Sequence, residues 1–211
     1  MNDPKVIETL LRRAPALPVL TIERLEDAVP LARALVRGGL PLLEVTLRTE
    51  VALAAITRIA AEVEGAVVGA GTIVRPRDLE AAARAGARFA ISPGATAELL
   101  AAGVAAGIPY IPAIATASEL MAGLDLGYRC FKFFPAESAG GVAALRSFAG
   151  PFPEARFCPT GGIDAAKAPN YLALPNVLTI GGSWMVPAKA IAAGAWEEIE
   201  GLARAAREGS G

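Results

Sequence analysis

Short apolar runs alternate with Ala- and Leu-rich, helix-periodic segments along almost the whole chain, and this alternation restricts the fold more than any other feature. Strands and helices in strict alternation predict a parallel sheet, because each parallel connection needs a crossover that a helix supplies. The predicted strands are 16–20, 41–46, 66–71, 88–92, 110–113, 129–134, 155–159 and 177–181. The predicted helices are 25–37, 50–64, 76–85, 97–106, 117–124, 141–149, 165–172 and a last one after Pro187.

Eight strand–helix pairs favour an α/β fold in which the sheet closes into a (β/α)8 barrel of the TIM type. The competing architecture, an open doubly wound sheet, needs a glycine-rich dinucleotide turn after an early strand, and that turn is missing. No linker or break in composition interrupts the chain, so we expect one domain over residues 1–211 with a frayed tail from about residue 205.

The charge balance excludes several classes of partner. The net charge is −1 and both signs are mixed along the chain, which argues against a nucleic-acid or membrane-surface partner. No apolar run is long enough to span a bilayer, and the first residues lack the layout of a signal peptide, so we expect a cytoplasmic protein. The two cysteines, Cys130 and Cys158, have no CxxC spacing and are expected to be free and buried.

Histidine is absent, which excludes every Ser–His or Cys–His nucleophile and every His-based metal site. Two separated cysteines do not make a zinc site either. Acid–base work must therefore fall to Glu, Asp, Lys, Tyr or water.

Lys132 is the only one of four lysines that lies within a strand-like apolar run, between Phe131 and Phe133. Burial of a lysine disfavours its charged form and leaves the free amine that Schiff-base chemistry with a carbonyl requires. For this segment seen alone, a lysine at a strand end whose head reaches solvent is the more common structure. The rest of the sequence reverses that preference.

The second predicted strand ends in a charged face. A two-residue period puts Glu44, Thr46 and Arg48 on one side and apolar residues on the other. In a barrel the carboxyl ends of the strands carry the chemistry, so this face is expected at the barrel mouth. A structural Glu–Arg ion pair and a catalytic carboxylate are both consistent with the pattern.

Small residues and prolines follow the next strands. Gly69-Ala70-Gly71-Thr72 would let a ligand approach the backbone closely, although tight packing predicts the same residues. Pro93 follows the fourth strand and Pro112 lies in the fifth, where backbone shaping is the simpler interpretation.

Diglycines follow the last two strands, within Thr160-Gly161-Gly162 and Gly181-Gly182-Ser183. Glycine turns before helices expose backbone N–H groups, and the loops after strands seven and eight are the usual phosphate site of such barrels. Ordinary strand-to-helix turns are the alternative. Asp164 is expected to cap the next helix rather than to bind substrate.

These residues converge on one mechanism. Lys132 attacks a ketone, Arg48 with Thr72 holds an adjacent carboxylate, and the diglycine loops hold a phosphate. Glu44 moves protons directly or through water. The implied substrate is a small-molecule α-keto acid with a phosphorylated tail, cleaved by a reversible aldol reaction. The iminium withdraws electrons, so no cofactor and no metal is required.

The chain resembles the family of 2-keto-3-deoxy-6-phosphogluconate (KDPG) aldolase and 4-hydroxy-2-oxoglutarate aldolase. The two most specific segments are Gly39–Arg48, with the sequence GLPLLEVTLR, and Gly127–Gly140, which contains FKFFPA. Further familial segments are Val68–Thr72, Phe89–Gly94, Arg156–Gly162 and Ile180–Trp184. The likeness covers nearly the whole chain.

The resemblance implies a (β/α)8 barrel that assembles as a homotrimer and cleaves KDPG to pyruvate and glyceraldehyde 3-phosphate. By position, Lys132 matches the Schiff-base lysine, Glu44 the general acid–base residue, and Arg48 and Thr72 the residues that contact the pyruvate carboxylate. The matches to pocket-lining positions are Pro93, Phe134 and Thr160, and those to the phosphate site are Gly161, Gly162, Gly182 and Ser183. Ala115 departs from the family, where a hydroxyl residue is common.

Three other functions stay open from the sequence. The same chemistry can act mainly on unphosphorylated 4-hydroxy-2-oxoglutarate or on the galactonate epimer. A phosphate-binding barrel isomerase or synthase without covalent chemistry would keep the diglycine loops but would not need Lys132. A catalytically silent barrel used for assembly would be expected to have lost its polar mouth residues, and here they are all present.

Overall fold

The computed structural model describes residues 3–209, and these form a curled parallel sheet surrounded by helices. The strands are β1 (Ala16–Leu20), β2 (Leu42–Thr46), β3 (Val67–Gly71), β4 (Ala90–Ile91), β5 (Tyr110–Ile111), β6 (Ala113–Ile114), β7 (Cys130–Phe133), β8 (Arg156–Pro159) and β9 (Ile180–Gly182). The helices are α1 (Pro4–Leu11), α2 (Ala28–Arg37), α3 (Ala52–Glu62), α4 (Pro76–Arg84), α5 (Ala97–Ala105), α6 (Ala117–Asp125), α7 (Gly141–Ala149), α8 (Ala168–Leu172), α9 (Ala188–Ala192) and α10 (Trp196–Glu208).

The strands pair in two sets. The larger sheet has the order β5-β4-β3-β2-β1-β9 and the smaller one the order β6-β7-β8, with every pairing parallel. Pro112 separates β5 from β6, because proline has no N–H to donate to a ladder. At the other junction, parallel bridges join Phe157 to Val177 and Thr160 to Gly181. The expected fifth strand is thus divided, and the expected start of the last strand at Val177 is wrong, since Val177 makes only a bridge.

Two hydrophobic layers surround the sheet. The larger one includes Leu43, Val45 and Phe131 and packs against the helices. The smaller one contains the alternate residues of the same strands, such as Leu42 and Cys130. Because side chains alternate between faces, Leu42 shares its face with Glu44 and Cys130 shares its face with Lys132. The inner face of the sheet is therefore apolar toward the amino ends of these strands and charged toward their carboxyl ends.

The helix α1 was not predicted, although the sequence contains its signals. Pro4 occupies the first turn and the Asp3 side chain accepts a hydrogen bond from Lys5 N at 2.9 Å, which is a standard helix start. Ile7 and Leu11 are buried in the inner layer, so this helix closes the end of the sheet opposite the charged groups.

The helical boundaries match the predictions within two residues, with four exceptions. The predicted helix 25–37 begins at Ala28, because Leu25–Asp27 form a short 3-10 helix, and the single helix predicted after Pro187 is divided into α9 and α10. The predicted helix 165–172 begins only at Ala168, because Asp164 Oδ1 accepts a hydrogen bond from Lys167 N and forms a turn before the helix. The last helix continues to Glu208, beyond residue 205 where the frayed tail was expected to begin, and Leu202 and Ala206 pack against the core. Residues 210 and 211 of that expected tail lie outside the described residues.

Among residues 3–209, no helix has the length and the apolar content that crossing a bilayer requires.

Candidate active site

Lys132 and Glu44 meet across the inside of the sheet. Lys132 lies on β7 and Glu44 on β2, and Nζ is 3.0 Å from Oε1 and 3.3 Å from Oε2. These two strands are not neighbours in either sheet, so the contact forms only because the sheet curls and brings them face to face. The side chains are 6% and 1% exposed. A buried amine thus lies in direct contact with a buried carboxylate.

The neighbouring residues make room for this pair. Gly71, at the end of β3, lies beside Glu44, and a Cβ on Gly71 would overlap the Glu44 carboxylate. The small residues of β3 therefore admit a side chain of the protein itself, whereas the sequence suggested the approach of a ligand to the backbone. The ring centroid of Phe134 lies 5.6 Å from Lys132 Nζ and flanks the amine on another side.

Cys158 lies beside Lys132 in the register of β7 and β8. Burial raises the pKa of the Cys158 thiol to about 12, and burial likewise raises the pKa of Cys130 to about 12. Both cysteines are free and buried, as predicted. Both thiols therefore remain neutral near physiological pH and are weak nucleophiles.

Arg48 and Thr72 meet at the mouth of the pocket. Arg48 Nε donates to Thr72 Oγ1 at 3.2 Å, and Arg48 is exposed while Thr72 is half-buried. Thr72 has a φ of 60°, which a β-branched residue rarely adopts. Backbone strain of this kind concentrates at functional sites, where the surrounding structure holds it. The hydroxyl and the guanidinium together present donors at the carboxyl end of β3.

Arg48 does not pair with Glu44, which resolves one alternative that the sequence left open. Glu44 takes Lys132 as its ion-pair partner instead. Thr46, the third polar residue on this face, is buried and donates to Leu20 O at 2.9 Å. The side chain of Thr46 thus has a structural role between β1 and β2.

The loop after β8 contains the first diglycine. Thr160 is buried. Its Oγ1 lies near the Cys158 thiol, but the contact does not have the geometry of a hydrogen bond. Gly161 and Gly162 have φ values of 110° and 76°, which favour glycine. A Cβ on Gly162 would lie 2.9 Å from Glu137 Cγ, so a protein side chain occupies that side of the turn.

The loop after β9 contains the second diglycine. Gly182 is buried, and a Cβ there would overlap the ring of Trp184, so this glycine accommodates an aromatic side chain. Ser183 is exposed. Within residues 3–209, the main-chain N–H groups of Gly162 and Ser183 donate to no protein acceptor. Both loops thus offer unused donors on the carboxyl side of the sheet. Pro93 is half-buried directly after β4.

Three residues near the first diglycine were not singled out from the sequence. Lys167, which was placed inside a helix, lies in the loop after β8 and donates from Nζ to Gly162 O at 2.9 Å. It also forms an ion pair with Glu137 at 2.7 Å, and the Tyr171 hydroxyl donates to the same carboxylate. Lys167 therefore lies in the loop and not within the predicted helix 165–172. The signal was Asp164, whose turn-forming side chain delays the start of α8.

No group of three or more His, Cys, Asp or Glu side chains within residues 3–209 is arranged to hold a metal ion.

Comparison with known proteins assigns the chain to a family. The family model described as KDPG and KHG aldolase matches residues 7–202. KHG/KDPG aldolase of Escherichia coli strain K12 is 56% identical over 203 residues, which cover 96% of this chain and 95% of that protein.

Two solved structures are similar over nearly their full length. One is KDPG aldolase from Legionella pneumophila with pyruvate captured at low pH as a covalent carbinolamine intermediate, with a TM-score of 0.93 and 48% identity over 95% of this chain and 97% of that chain. The other is the 2-keto-3-deoxy-6-phosphogluconate aldolase of Zymomonas mobilis ZM4 with 3-phosphoglycerate, with a TM-score of 0.91 and 49% identity over 97% and 96%. The chain belongs to the KDPG and KHG aldolase family.

Proposed function

We propose that this protein is a class I aldolase, a carbon–carbon lyase that reversibly cleaves KDPG to pyruvate and glyceraldehyde 3-phosphate. The contact between Lys132 and Glu44 is the observation that supports this function most directly. A buried amine with a carboxylate 3.0 Å away has both the nucleophile and the proton acceptor that formation of an imine needs.

The reaction follows from these groups. Lys132 Nζ attacks C2 of the keto acid, and the carbinolamine loses water to form an iminium. The C4 hydroxyl gives its proton to Glu44, directly or through water, and the C3–C4 bond breaks. The bond electrons move to the iminium nitrogen and leave an enamine, and glyceraldehyde 3-phosphate departs. Protonation of C3 and hydrolysis of the resulting iminium release pyruvate and free Lys132.

The other residues orient the two ends of the substrate. Arg48 and Thr72 hold the C1 carboxylate, because their donors meet at the carboxyl end of β3. Gly161, Gly162, Gly182 and Ser183 hold the phosphate, and the unused N–H groups of Gly162 and Ser183 support this role. The remaining side chains, which line the pocket between these ends, are Pro93, Phe134 and Thr160.

The scaffold of this chemistry is a single (β/α)8 domain. Counting β5 and β6 as one strand interrupted at Pro112 gives eight, and the bridges from β8 to β9 support closure of the ring. We further propose a homotrimer in the cytoplasm with a small-molecule keto-acid phosphate as its partner, without nucleic acid, membrane or cofactor.

The closest alternative is the same chemistry acting mainly on 4-hydroxy-2-oxoglutarate or on the galactonate epimer. The name of the Escherichia coli relative covers both KHG and KDPG, and the Ala115 departure lies on the aldehyde side of the family's pocket. A non-covalent isomerase or synthase is less consistent with the pocket, because such an enzyme has no use for a buried lysine in contact with Glu44.

Trapping with borohydride tests the covalent chemistry. Treatment with pyruvate and borohydride should add one reduced pyruvyl group, and peptide mapping should place it on Lys132. A modification on Lys5, Lys167 or Lys189, or no modification at all, would contradict the proposed function. Omission of pyruvate is the control.

A further inference from the structure

We infer that Lys167 is a positioning residue for the phosphate end of the substrate, holding the first diglycine turn through the Gly162 carbonyl. This inference rests on the proposed function and extends it to residues outside the reaction chemistry. Lys167, Glu137 and Tyr171 form a cluster that we call the turn clamp.

The turn clamp joins two loops and a helix. Glu137 lies in the loop after β7, Lys167 in the loop after β8, and Tyr171 in α8. Lys167 Nζ donates to Gly162 O at 2.9 Å and is 2.7 Å from Glu137 Oε2, while the Tyr171 hydroxyl donates to Glu137 Oε1. Each carboxylate oxygen of Glu137 thus has its own donor.

Main-chain bonds join the same two loops. Ala136 N donates to Thr160 O at 2.8 Å and Glu137 N donates to Gly161 O at 3.1 Å. The loop that begins at the end of the Lys132 strand therefore supports the diglycine turn from one side, and Lys167 holds it at Gly162. Glu137 Cγ occupies the space where a Cβ of Gly162 would lie, so the two residues are in close contact. A displacement of Glu137 would therefore also displace the diglycine turn.

The clamp sets the direction of the main-chain donors. In a planar trans peptide the C=O and the following N–H point in opposite directions. Lys167 holds the Gly162 carbonyl and so fixes the direction of the Ile163 N–H, while Glu137 N, which donates to Gly161 O at 3.1 Å, fixes the direction of the Gly162 N–H. Gly162 itself has a φ of 76° and an N–H without a protein acceptor among the described residues. Donors held in place before the ligand arrives bind an anion without the cost of reordering the loop.

Lys167 acts through the turn rather than as a free cation. Its hydrogen bond to Glu137 raises the pKa of the ammonium, and the same bond holds the pKa of Glu137 below its usual range. Both groups are charged at neutral pH, and their charges offset each other. Two of the three ammonium donors are already used by Glu137 and Gly162 O.

The first experiment compares phosphorylated and unphosphorylated substrates. In Lys167→Met, the ratio of kcat/KM for KDPG to kcat/KM for 4-hydroxy-2-oxoglutarate should fall on the order of tenfold, mainly through KM for KDPG. Lys167→Arg should restore part of the ratio. An unchanged ratio, or an equal loss with both substrates, would overturn the inference.

Arg58→Met is the matched control. The Arg58–Glu62 pair on α3 has the same N–O distance of 2.7 Å and side chains that are 40% exposed, against 45% and 35% for Lys167 and Glu137. Loss of this surface pair should leave the substrate ratio at the wild-type value. A fall as large as that of Lys167→Met would mean that the clamp variant acts through a general change in charge or stability.

Glu137→Gln separates positioning from direct contact with phosphate. If Lys167 acts through the turn, loss of its carboxylate partner loosens the clamp and raises KM for KDPG. If Lys167 instead binds phosphate itself, release from Glu137 frees the cation and lowers that KM, which would overturn the inference. Pyruvate trapping by the wild-type protein is a separate readout, so that its absence would refute the proposed function and not the clamp.

Discussion

Among the described residues, two lysine–glutamate ion pairs differ most clearly in burial. Lys132 and Glu44 are 3.0 Å apart with side chains 6% and 1% exposed, while Lys167 and Glu137 are 2.7 Å apart with side chains 45% and 35% exposed. The shorter of the two ion pairs is the more exposed one. Distance alone therefore does not distinguish the proposed catalytic pair from the pair that holds a loop.

The physical difference is the surrounding medium. Water and salt screen the Lys167–Glu137 pair, so this pair contributes mainly geometry through its hydrogen bonds. The Lys132–Glu44 pair lies among apolar side chains of the inner face, where charges are poorly solvated and each partner offsets the cost of burying the other. The same two residue types thus form a mutually dependent buried pair in one environment and a solvent-screened pair in the other.

The largest expected difference is in turnover. Lys132→Met should lose activity on KDPG and on 4-hydroxy-2-oxoglutarate alike, on the order of 10⁴–10⁶-fold, because the covalent step has no other nucleophile. Steady-state assays with both substrates measure this loss. Lys167→Met, in contrast, should change the preference between the substrates. Substantial turnover by Lys132→Met would contradict the proposal that Lys132 is the nucleophile.

Replacement of the buried carboxylate should have the next largest effect. Glu44→Gln keeps the size of the side chain but removes the proton acceptor, so turnover should fall about 10²–10⁴-fold. Some borohydride-trapped pyruvate adduct should still form on Lys132. Near wild-type turnover would show that Glu44 serves only as a structural partner of Lys132.

Loss of the lysine should lower the free energy of unfolding more in the buried pair than in the exposed pair. Lys132→Met leaves Glu44 buried without a partner and should lower the free energy of unfolding by about 3–5 kcal/mol. The double variant Lys132→Met, Glu44→Met removes both charges and should recover most of that loss. Lys167→Met should have a much smaller effect, because its pair is screened by solvent. Urea unfolding of the four proteins measures these differences, and equal losses from both single lysine variants would contradict the role assigned to burial.

The smallest expected effect concerns the second diglycine loop. Ser183→Ala removes one hydroxyl and leaves the main-chain N–H, so phosphorylated substrate should bind about 1 kcal/mol more weakly, or about fivefold in KM. The unphosphorylated substrate should be nearly unaffected, since its aldehyde fragment does not reach this loop. An equal effect on both substrates would reassign the second diglycine to a purely structural turn.

The sequence predicted most of the elements, and it failed where local signals compete with tertiary contacts. The strand 16–20 and the helix 141–149 have the predicted bounds, because apolar periodicity and flanking turn residues are local. The helix α1 was missed although its Asp-Pro start is visible in the sequence. Its apolar residues Ile7 and Leu11 are buried only because the helix packs against the end of the sheet, which is a tertiary contact. The division at Pro112 follows from the missing N–H, but which strands pair on either side of it does not.

For the strands, the structure brings together side chains that the sequence singled out, whereas it gives several loop residues other contacts. Lys132 and Glu44 were placed on the inner face by alternation and chain context, and the structure brings them together. For Gly71 the sequence left ligand approach and tight packing open, and the structure shows packing against Glu44; Gly182, predicted to bind phosphate, leaves room for Trp184. Glycine permits close approach from any direction, and the sequence does not state which group approaches.

By itself, the sequence determined the alternation of strands and helices, the face of each strand on which charged groups lie, the absence of histidine chemistry and the family. The tertiary structure alone decided the partners: Lys132 meets Glu44 across 88 residues of sequence, Arg48 meets Thr72, and Lys167 holds Gly162 and Glu137. The reason is that periodicity is a property of neighbours along the chain. Contact between strands that do not pair depends on how far the whole sheet curls, and this is set by the packing of all its strands and helices together.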